Sequence, residues 1–306
     1  MRERVAAAAR LLGERARPRV PLGPLTTYRV GGPAALFVEL GGDDDATAVA
    51  EAVRATGVPV LVVGRGSNLL VADSGFPGLA VTLGESYAFI EIDGTRVRAG
   101  AAVSLPVLAR RTAAAALTGM EWAVGVPGSV GGAVRMNAGG HGSDISRTLT
   151  AAHVLDLASG DDRVVAPDGL RFSYRSSSVR GDQAVLGADF ELRPGDRTAS
   201  EAEIAEIVRW RRENQPGGSN AGSVFTNPRD DTAGRLIDAA GLKGFRVGSA
   251  HVSAKHANFF QADEGGSADD VRALVLEVQR LVEDRMGVRL EPELRMIGFG
   301  SDEPER

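Results

Sequence analysis

The chain of 306 residues contains no cysteine. Disulfides, iron–sulfur ligation, thiolate nucleophiles and a cysteinyl link to a flavin are therefore excluded. Any redox chemistry must come from a bound cofactor. Histidine is nearly as scarce, and the four histidines are scattered without a ligand spacing such as HExxH, so we expect no catalytic metal.

Long apolar runs and a basic charge excess are also missing. The opening segment MRERVAAAARLLGERARPRV carries charges every few positions, so we predict neither a signal peptide nor a membrane span, and a cytoplasmic protein without a membrane partner. The net charge is −5 with a pI of about 5.5, which argues against nucleic acid as a partner. Local basic groups can still bind an anionic small molecule.

The hydrophobic fraction of 43% is ample for a core, and roughly 150 residues per domain favour two domains. We predict an N-terminal helical segment at 1–22, a central region at 23–198 and a C-terminal domain at 199–306. The central region divides into lobes at about 23–84 and 85–198. A polar stretch before residue 199 marks the main boundary.

Hydrophobic periodicity mixes both kinds of element, which indicates an α+β fold. The compact β-branched run Val58–Val63 predicts a buried strand, and Gly287–Leu290 is expected to begin a closing strand. Helices are predicted at Val5–Ala16, Asp43–Thr56, Ser104–Ala116, Ser200–Arg212, Arg235–Ala240 and Ala268–Met286.

A first glycine motif follows the strand at Val58–Val63 and begins like the dinucleotide fingerprint GxGxxG. Leu69 occupies the third glycine position and a turn-rich segment follows, which argues against a Rossmann domain. The remaining backbone amides could form a nest for a pyrophosphate, or the motif could be a tight turn without a ligand. The candidate cofactor-binding residues are Gly64, Arg65, Gly66, Ser67 and Asn68.

A second glycine-rich segment, GVPGSVGGAVRMNAGG, begins at Gly125. Taken alone it could be a close-packed crossing between two sheets. Two such loops together suit a long ligand with a diphosphate and two ends, and FAD is the natural candidate. The candidate residues here are Pro127, Gly128, Ser129, Val130 and Gly131.

Three polar residues stand out in the remaining segments: Arg175 in FSYRSS, Ser223 in AGSVFTNP and Glu293 in LEPELR. Each taken alone is more often a surface or turn residue than a catalytic one. The serine does not lie in a GxSxG nucleophile elbow, because Phe225 replaces the second glycine.

Together these segments resemble those of the UDP-N-acetylenolpyruvoylglucosamine reductase (MurB) family. The resemblance covers nearly the whole chain in the expected order. Its motifs here are TTYRVGGPA, VVGRGSNLLV, GVPGSVGGAVRMNAGGHG, FSYRSS, NQPGGSNAGSVFTNP, AGLKGFRVGSAHVSAKHANFF and LEPELRMIG.

The resemblance implies a two-part FAD-binding region of the vanillyl-alcohol-oxidase (PCMH) type followed by an α/β substrate-binding domain. It implies non-covalent FAD, NADPH as co-substrate and an enolpyruvyl UDP-N-acetylglucosamine as substrate. The short connection after Arg175 fits the shorter, second class of the family, in which no tyrosine lid is expected. We also expect a monomer.

By the same resemblance, Arg175 and Glu293 stabilise developing negative charge, Ser223 protonates C2, and Tyr174 and Asn227 contact the substrate. We predict that Glu293 has a raised pKa, because an ionised carboxylate would oppose the developing charge. Thr226 stands where a lysine is familiar in the family, and the missing phosphate contact could come from one of the two lysines, Lys243 and Lys255.

Two alternatives stay open at this point. Another FAD-dependent oxidoreductase of the same cofactor fold would keep both glycine loops without needing Arg175, Ser223 and Glu293 together. A non-catalytic nucleotide-binding protein would bind UDP-sugars but purify without colour.

Overall fold

A four-stranded sheet organises the first lobe. The structure is a computed structural model that describes residues 1–300. The elements of this lobe are α1 Arg2–Leu12, β1 Arg17–Pro21, β2 Pro33–Leu40, α2 Asp43–Thr56, β3 Val60–Val62, β4 Leu69–Val71 and β5 Phe76–Leu83. The sheet order is β1-β2-β5-β3, with β1 antiparallel to β2 and the other pairs parallel.

Local sequence explains the first-lobe elements. Leu36 and Val38 of β2 face a core shared with α1 and α2, whereas Phe37 faces the opposite layer, as strand alternation requires. Helix α2 has three aspartates in its first turn, where the helix dipole favours negative charge, and ends at Gly57 in the left-handed conformation.

The second lobe contains a five-stranded antiparallel sheet in the order β12-β11-β13-β7-β6. The strands of this lobe, which include the separate pairs β8 with β14 and β9 with β10, are β6 Ile90–Asp93, β7 Arg96–Gly100, β8 Leu117–Thr118, β9 Gly139–Gly140, β10 Ser143–Asp144, β11 Leu149–Asp156, β12 Asp162–Val165, β13 Gln183–Glu191 and β14 Arg193–Pro194. Its helices are α3 Leu105–Ala114, α4 Val130–Met136, α5 Pro167–Leu170 and α6 Arg197–Asn214. Residues of α3, α4 and α6 share one core with the sheet.

The C-terminal part is a three-stranded antiparallel sheet with helices α7 and α8. Its elements are α7 Ala233–Ala239, β15 Arg246–Val247, β16 Ala250–Val252, β17 Phe260–Ala262, α8 Ala268–Met286 and β18 Arg295–Ile297. The buried residues Tyr28 and Leu70 of the first lobe belong to its core. Strand β18 pairs in parallel with β4, which brings Arg295–Ile297 beside the strand that follows the first glycine loop.

The structure differs from the sequence predictions at three places. The N-terminal segment 1–22 is not wholly helical, because Arg17–Pro21 pairs with β2 as a strand. Helix α6 lies largely inside the expected domain 199–306, yet Ile204 and Ile207 pack in the second-lobe core, and the domain bounds stay predictions. Residues 287–290 are not a strand, and the closing strand is β18. The last six residues of that expected domain lie outside the described residues.

The sheet of the first lobe ends at Leu83 and that of the second begins at Ile90, and the division near residue 84 stays a prediction. Across residues 1–300, no helix has both the length and the apolar character needed to cross a membrane.

Candidate active site

A cavity of about 500 Å³ lies where both lobes and the C-terminal part meet. Both glycine loops line it, together with the segment from Gln215 to Ser223. Arg175 and Glu293 line the same cavity, so the three polar residues selected from the sequence come together at one site.

The first glycine loop follows β3 and offers open backbone donors. Within residues 1–300, no N–H group from Gly64 to Asn68 donates a hydrogen bond to the protein. Gly66 has φ +58°, and a Cβ there would lie 2.2 Å from the Leu25 carbonyl oxygen, so only glycine fits. Leu69 begins a strand and no helix follows, which agrees with the prediction that this is not a Rossmann motif.

The second glycine loop is shorter than the sequence suggested. Pro127, Gly128 and Ser129 line the cavity, but helix α4 begins at Val130, which is fully buried. The amides of Val130 and Gly131 donate to the carbonyls of Val103 and Ala101, so they are not available to a phosphate. Gly131 instead lines a neighbouring cavity of about 210 Å³. These two amides are used within the fold, and the cofactor-binding roles of Val130 and Gly131 stay predictions.

The two loops touch each other. A Cβ added at Gly64 would lie 2.8 Å from Ser129 Oγ, and one added at Gly128 would lie 3.6 Å from Ser67 Oγ. This contact agrees with the expectation that one extended ligand uses both loops.

Arg175 lies in a tight turn between β12 and β13. Two backbone hydrogen bonds between Ser173 and Ser176 close the turn, and Arg175 has φ +56°. Its guanidinium lies over the Tyr174 ring, 5.3 Å from the centroid. Its buried Nε has no hydrogen-bond acceptor among the described residues. A buried cationic donor without an acceptor suits an incoming anion.

Ser223 and Glu293 are fixed by backbone bonds across the cavity wall. The Glu293 amide donates to the Val224 carbonyl at 2.8 Å, and the Val224 amide donates to the Asn258 carbonyl at 2.9 Å. Asn68 Nδ2 donates to the Glu293 carbonyl at 3.1 Å, which ties the first glycine loop to this segment. Ser223 Oγ makes no hydrogen bond within residues 1–300, so it can serve a ligand.

Arg175 and Glu293 form the electrostatic centre of the cavity. Arg175 Nε lies 3.1 Å from Glu293 Oε1, and the Glu293 side chain is only 16% exposed. The N–H direction misses that oxygen, so the contact is an ion pair rather than a hydrogen bond. Burial raises the pKa of Glu293 above its ordinary value, and the Arg175 charge partly opposes the rise. The predicted direction of this pKa shift is confirmed.

Comparison with known proteins decides the family. The profile of the FAD binding domain matches residues 34–165, and that of the C-terminal domain of UDP-N-acetylenolpyruvoylglucosamine reductase matches residues 214–297. UDP-N-acetylenolpyruvoylglucosamine reductase 2 of Symbiobacterium thermophilum is 42% identical over 93% of this chain and 92% of its own. The chain belongs to the UDP-N-acetylenolpyruvoylglucosamine reductase family.

Two further relatives of this family agree. The enzyme of Rubrobacter xylanophilus is 41% identical over 91% of this chain and 94% of its own length. The crystal structure of the Thermus caldophilus reductase superposes with a TM-score of 0.81 at 36% identity, covering 93% of this chain and 99% of that one. The resemblance seen in the sequence and the α+β, two-part FAD-binding architecture are thus confirmed.

Two residues expected to contact the substrate, Tyr174 and Asn227, do not line the cavity. Tyr174 is 64% exposed, and its ring contacts the Arg175 guanidinium. Asn227 Oδ1 accepts from the Ala233 amide at 3.1 Å, the local bonding common for an amide in a turn. Both roles stay predictions.

Neither lysine lines the cavity, and a phosphate contact by either one stays a prediction. Lys243 pairs with Asp238, and Lys255 donates to the Arg212 carbonyl. Thr226 Oγ1 donates to the Glu291 carbonyl at 3.3 Å.

Sequence reasoning missed the other cations of the reductase site. Arg135 on α4, Arg211 on α6 and Arg295 at the start of β18 all line the cavity. The only available signals were weak: Arg135 lies inside the second glycine segment, and Arg295 follows Glu293 by two residues. Arginine is too common on surfaces for spacing alone to identify it.

Proposed function

We propose that this chain reduces UDP-N-acetyl-3-O-(1-carboxyvinyl)-glucosamine to UDP-N-acetylmuramate with NADPH through FAD, in cytoplasmic synthesis of peptidoglycan precursors. One observation carries the proposal: Arg175, Ser223 and Glu293, from three distant segments, line one cavity with the first glycine loop. The named relatives and the matched FAD-binding region support it.

Charge favours anionic ligands in this cavity. Five arginines line it, whereas Glu293 is the single carboxylate on its described wall, in a chain of net charge −5. Carboxylate and diphosphate groups are therefore suited to the site. The arginines are Arg65, Arg135, Arg175, Arg211 and Arg295.

The residues present fit FAD. The open amides of Gly64–Asn68 provide the kind of nest that holds a pyrophosphate, and the absence of cysteine agrees with non-covalent binding. Bound FAD would supply the hydride carrier between NADPH and C3 of the enolpyruvyl group.

Arg175 and Glu293 would meet the charge that develops when C3 receives hydride. An enol ether is electron-rich, so the reaction needs the attached carboxylate as an electron sink. The fork of Arg175 suits that carboxylate, and such preorganised donors are worth about 3–4 kcal/mol each. Once the substrate carboxylate occupies Arg175, Glu293 loses its counter-charge, and its already raised pKa favours the protonated, hydrogen-bond-donating form.

Ser223 would complete the reduction by giving its proton to C2. Backbone bonds on both sides hold its turn in place, and Oγ is unengaged within the described residues. A hydroxyl is a weak acid, but an enolate-like carbon is basic enough to take a positioned proton.

The test is the visible spectrum of the purified protein, recorded anaerobically with NADPH and then with the enolpyruvyl compound. A flavin band that bleaches with NADPH and returns only with that compound supports the proposal. A rapid return with oxygen alone would favour a different oxidoreductase, and a protein that cannot be loaded with FAD would refute both.

The matched variant is Ser223→Ala. Flavin reduction by NADPH should persist, while reoxidation by the enolpyruvyl compound slows by at least about 100-fold, the usual worth of a general acid. Equal losses in both half-reactions would instead make the serine structural. For Glu293, identical pH-rate limbs in wild type and Glu293→Gln would contradict its assigned role.

A further inference from the structure

The turn that carries Arg175 is held in an unfavourable conformation. Arg175 has φ +56°, a left-handed conformation that costs a residue with a Cβ free energy. Such a conformation persists only where surrounding contacts determine it.

Two side-chain hydrogen bonds attach the turn to the C-terminal end of α4. Asn137 Nδ2 donates to the Ser173 carbonyl at 2.9 Å. Ser177 Oγ donates to the Arg135 carbonyl at 2.7 Å. Both bonds join segments far apart in sequence, and they flank Arg175 on either side.

Asn137 is an energetically unfavourable residue at its position. It ends α4 with φ 41°, the place that glycine fills after α2 at Gly57 and after α8 at Gly287. Asn137 is only 6% exposed, and its Oδ1 has no donor within residues 1–300. Glycine would end the helix without burying an unpaired oxygen. The hydrogen bond from Asn137 Nδ2 to the Ser173 carbonyl therefore explains why an amide side chain is present.

We propose that Asn137 is a positioning residue for Arg175. Helix α4 then connects the first glycine loop to the Arg175 turn. Ser129, its N-cap, lines the cavity beside that loop, and Asn137, its C-cap, holds the turn through the Ser173 carbonyl. The proposal rests on the proposed function only in assigning Arg175 to the substrate carboxylate. A misplacement of about 1 Å in such a group can slow a reaction by about 100-fold.

The test compares the two half-reactions of the FAD-loaded enzyme by anaerobic stopped-flow absorbance. In Asn137→Gly, which keeps the left-handed backbone but loses the amide, NADPH should reduce the flavin within about twofold of the wild-type rate. Reoxidation by the enolpyruvyl compound should slow about 10- to 100-fold. Calorimetric titration of the enolpyruvyl compound should show weaker binding, with the thermal midpoint recorded alongside.

Asn137→Asp gives a signature that a purely structural role would not. The ionised new carboxyl faces the Ser173 carbonyl and cannot donate, whereas its protonated form can. Relative to Asn137→Gly, reoxidation should therefore recover as pH falls. Arg135, Arg175 and Glu293 are present in both variants, so the difference between their pH profiles reports the new carboxyl.

Neighbouring serines supply a matched control. Ser177→Ala removes the second bond to α4 together with a local bond that Ser177 Oγ accepts from the Val179 amide, whereas Ser178→Ala removes a bond to the Gly169 carbonyl that lies outside this link. Only Ser177→Ala should slow reoxidation, and this pair carries the test if Asn137→Gly fails to fold.

The inference would be overturned if folded Asn137→Gly is reoxidised at the wild-type rate. It would also be overturned if both half-reactions of this variant slow equally. If the wild-type enzyme is reduced by NADPH but never reoxidised by the enolpyruvyl compound, the proposed function fails instead.

Discussion

The two glycine-rich loops look alike in sequence but use their backbones differently. In the first, the amides from Gly64 to Asn68 donate to nothing within residues 1–300 and face a cavity. In the second, Val130 and Gly131 donate to the carbonyls of Val103 and Ala101. The backbone amides of the first loop are therefore available to a ligand, whereas two amides of the second loop are already hydrogen-bonded within the protein.

This difference shows that glycine enrichment has two physical causes. In the first loop, Gly66 combines a positive φ with a backbone neighbour that leaves no room for a Cβ. In the second, a Cβ at Gly131 would approach Ala101 Cβ to 3.0 Å, so the glycine permits close packing of α4. Close packing therefore explains Gly131 in the second loop, whereas the ligand cradle in the first loop stays a prediction.

The largest expected effect is that of Gly66→Ala. The left-handed conformation costs about 1–2 kcal/mol, and overpacking against the Leu25 carbonyl adds about 1–3 kcal/mol. We expect a loss of about 2–5 kcal/mol in the free energy of unfolding, measured in urea, and loss of bound FAD.

Its control is Gly128→Ala in the second loop, where the new Cβ would lie at ordinary contact distance, 3.6 Å from Ser67 Oγ. Its unfolding free energy should change by no more than about 0.5 kcal/mol. Similar losses in both variants would remove the distinction between the loops.

A smaller effect separates the serines of the two loops. Ser129 Oγ accepts from the Gly132 amide at 3.3 Å and caps α4, so Ser129→Ala should lose about 1 kcal/mol of stability. Ser67 Oγ has no hydrogen bond within the described chain, so Ser67→Ala should unfold like the wild type while binding FAD more weakly. Urea unfolding of the FAD-free proteins and FAD titration measure the two effects. The reverse pattern would exchange the roles assigned to the loops.

The smallest effect concerns Glu293, which the first loop contacts through Asn68. Because the folded-state pKa is raised, the folding contribution of the neutral carboxyl is complete below the unfolded pKa and is lost as pH rises through the folded pKa. Glu293→Gln should therefore be more stable than the wild type at neutral pH, with the difference shrinking in acid. Thermal unfolding of the FAD-free proteins in mild acid and at neutral pH measures this difference. A difference that grows in acid would mean a lowered pKa.

Local sequence signals located the elements that depend only on local bonding. Helices Asp43–Thr56 and Ala268–Met286 have the predicted bounds, because acidic first turns and glycine C-caps mark their ends. The segment 1–22, predicted as helical, contains strand β1 after its helix, and β18 lies several residues beyond the strand predicted to begin at Gly287. Both errors concern strands whose partners, β2 and β4, are set by tertiary pairing.

The sequence by itself determined the chemical possibilities of this protein. Because cysteine is absent, any redox chemistry must come from a bound cofactor. The ordered motifs predict Arg175, Ser223 and Glu293 as catalytic residues. Only the tertiary structure decided that Arg175 lies 3.1 Å from Glu293 and that Arg135, Arg211 and Arg295 face the same cavity. The physical reason is that burial, charge proximity and the partner of each amide depend on packing between segments far apart in the chain.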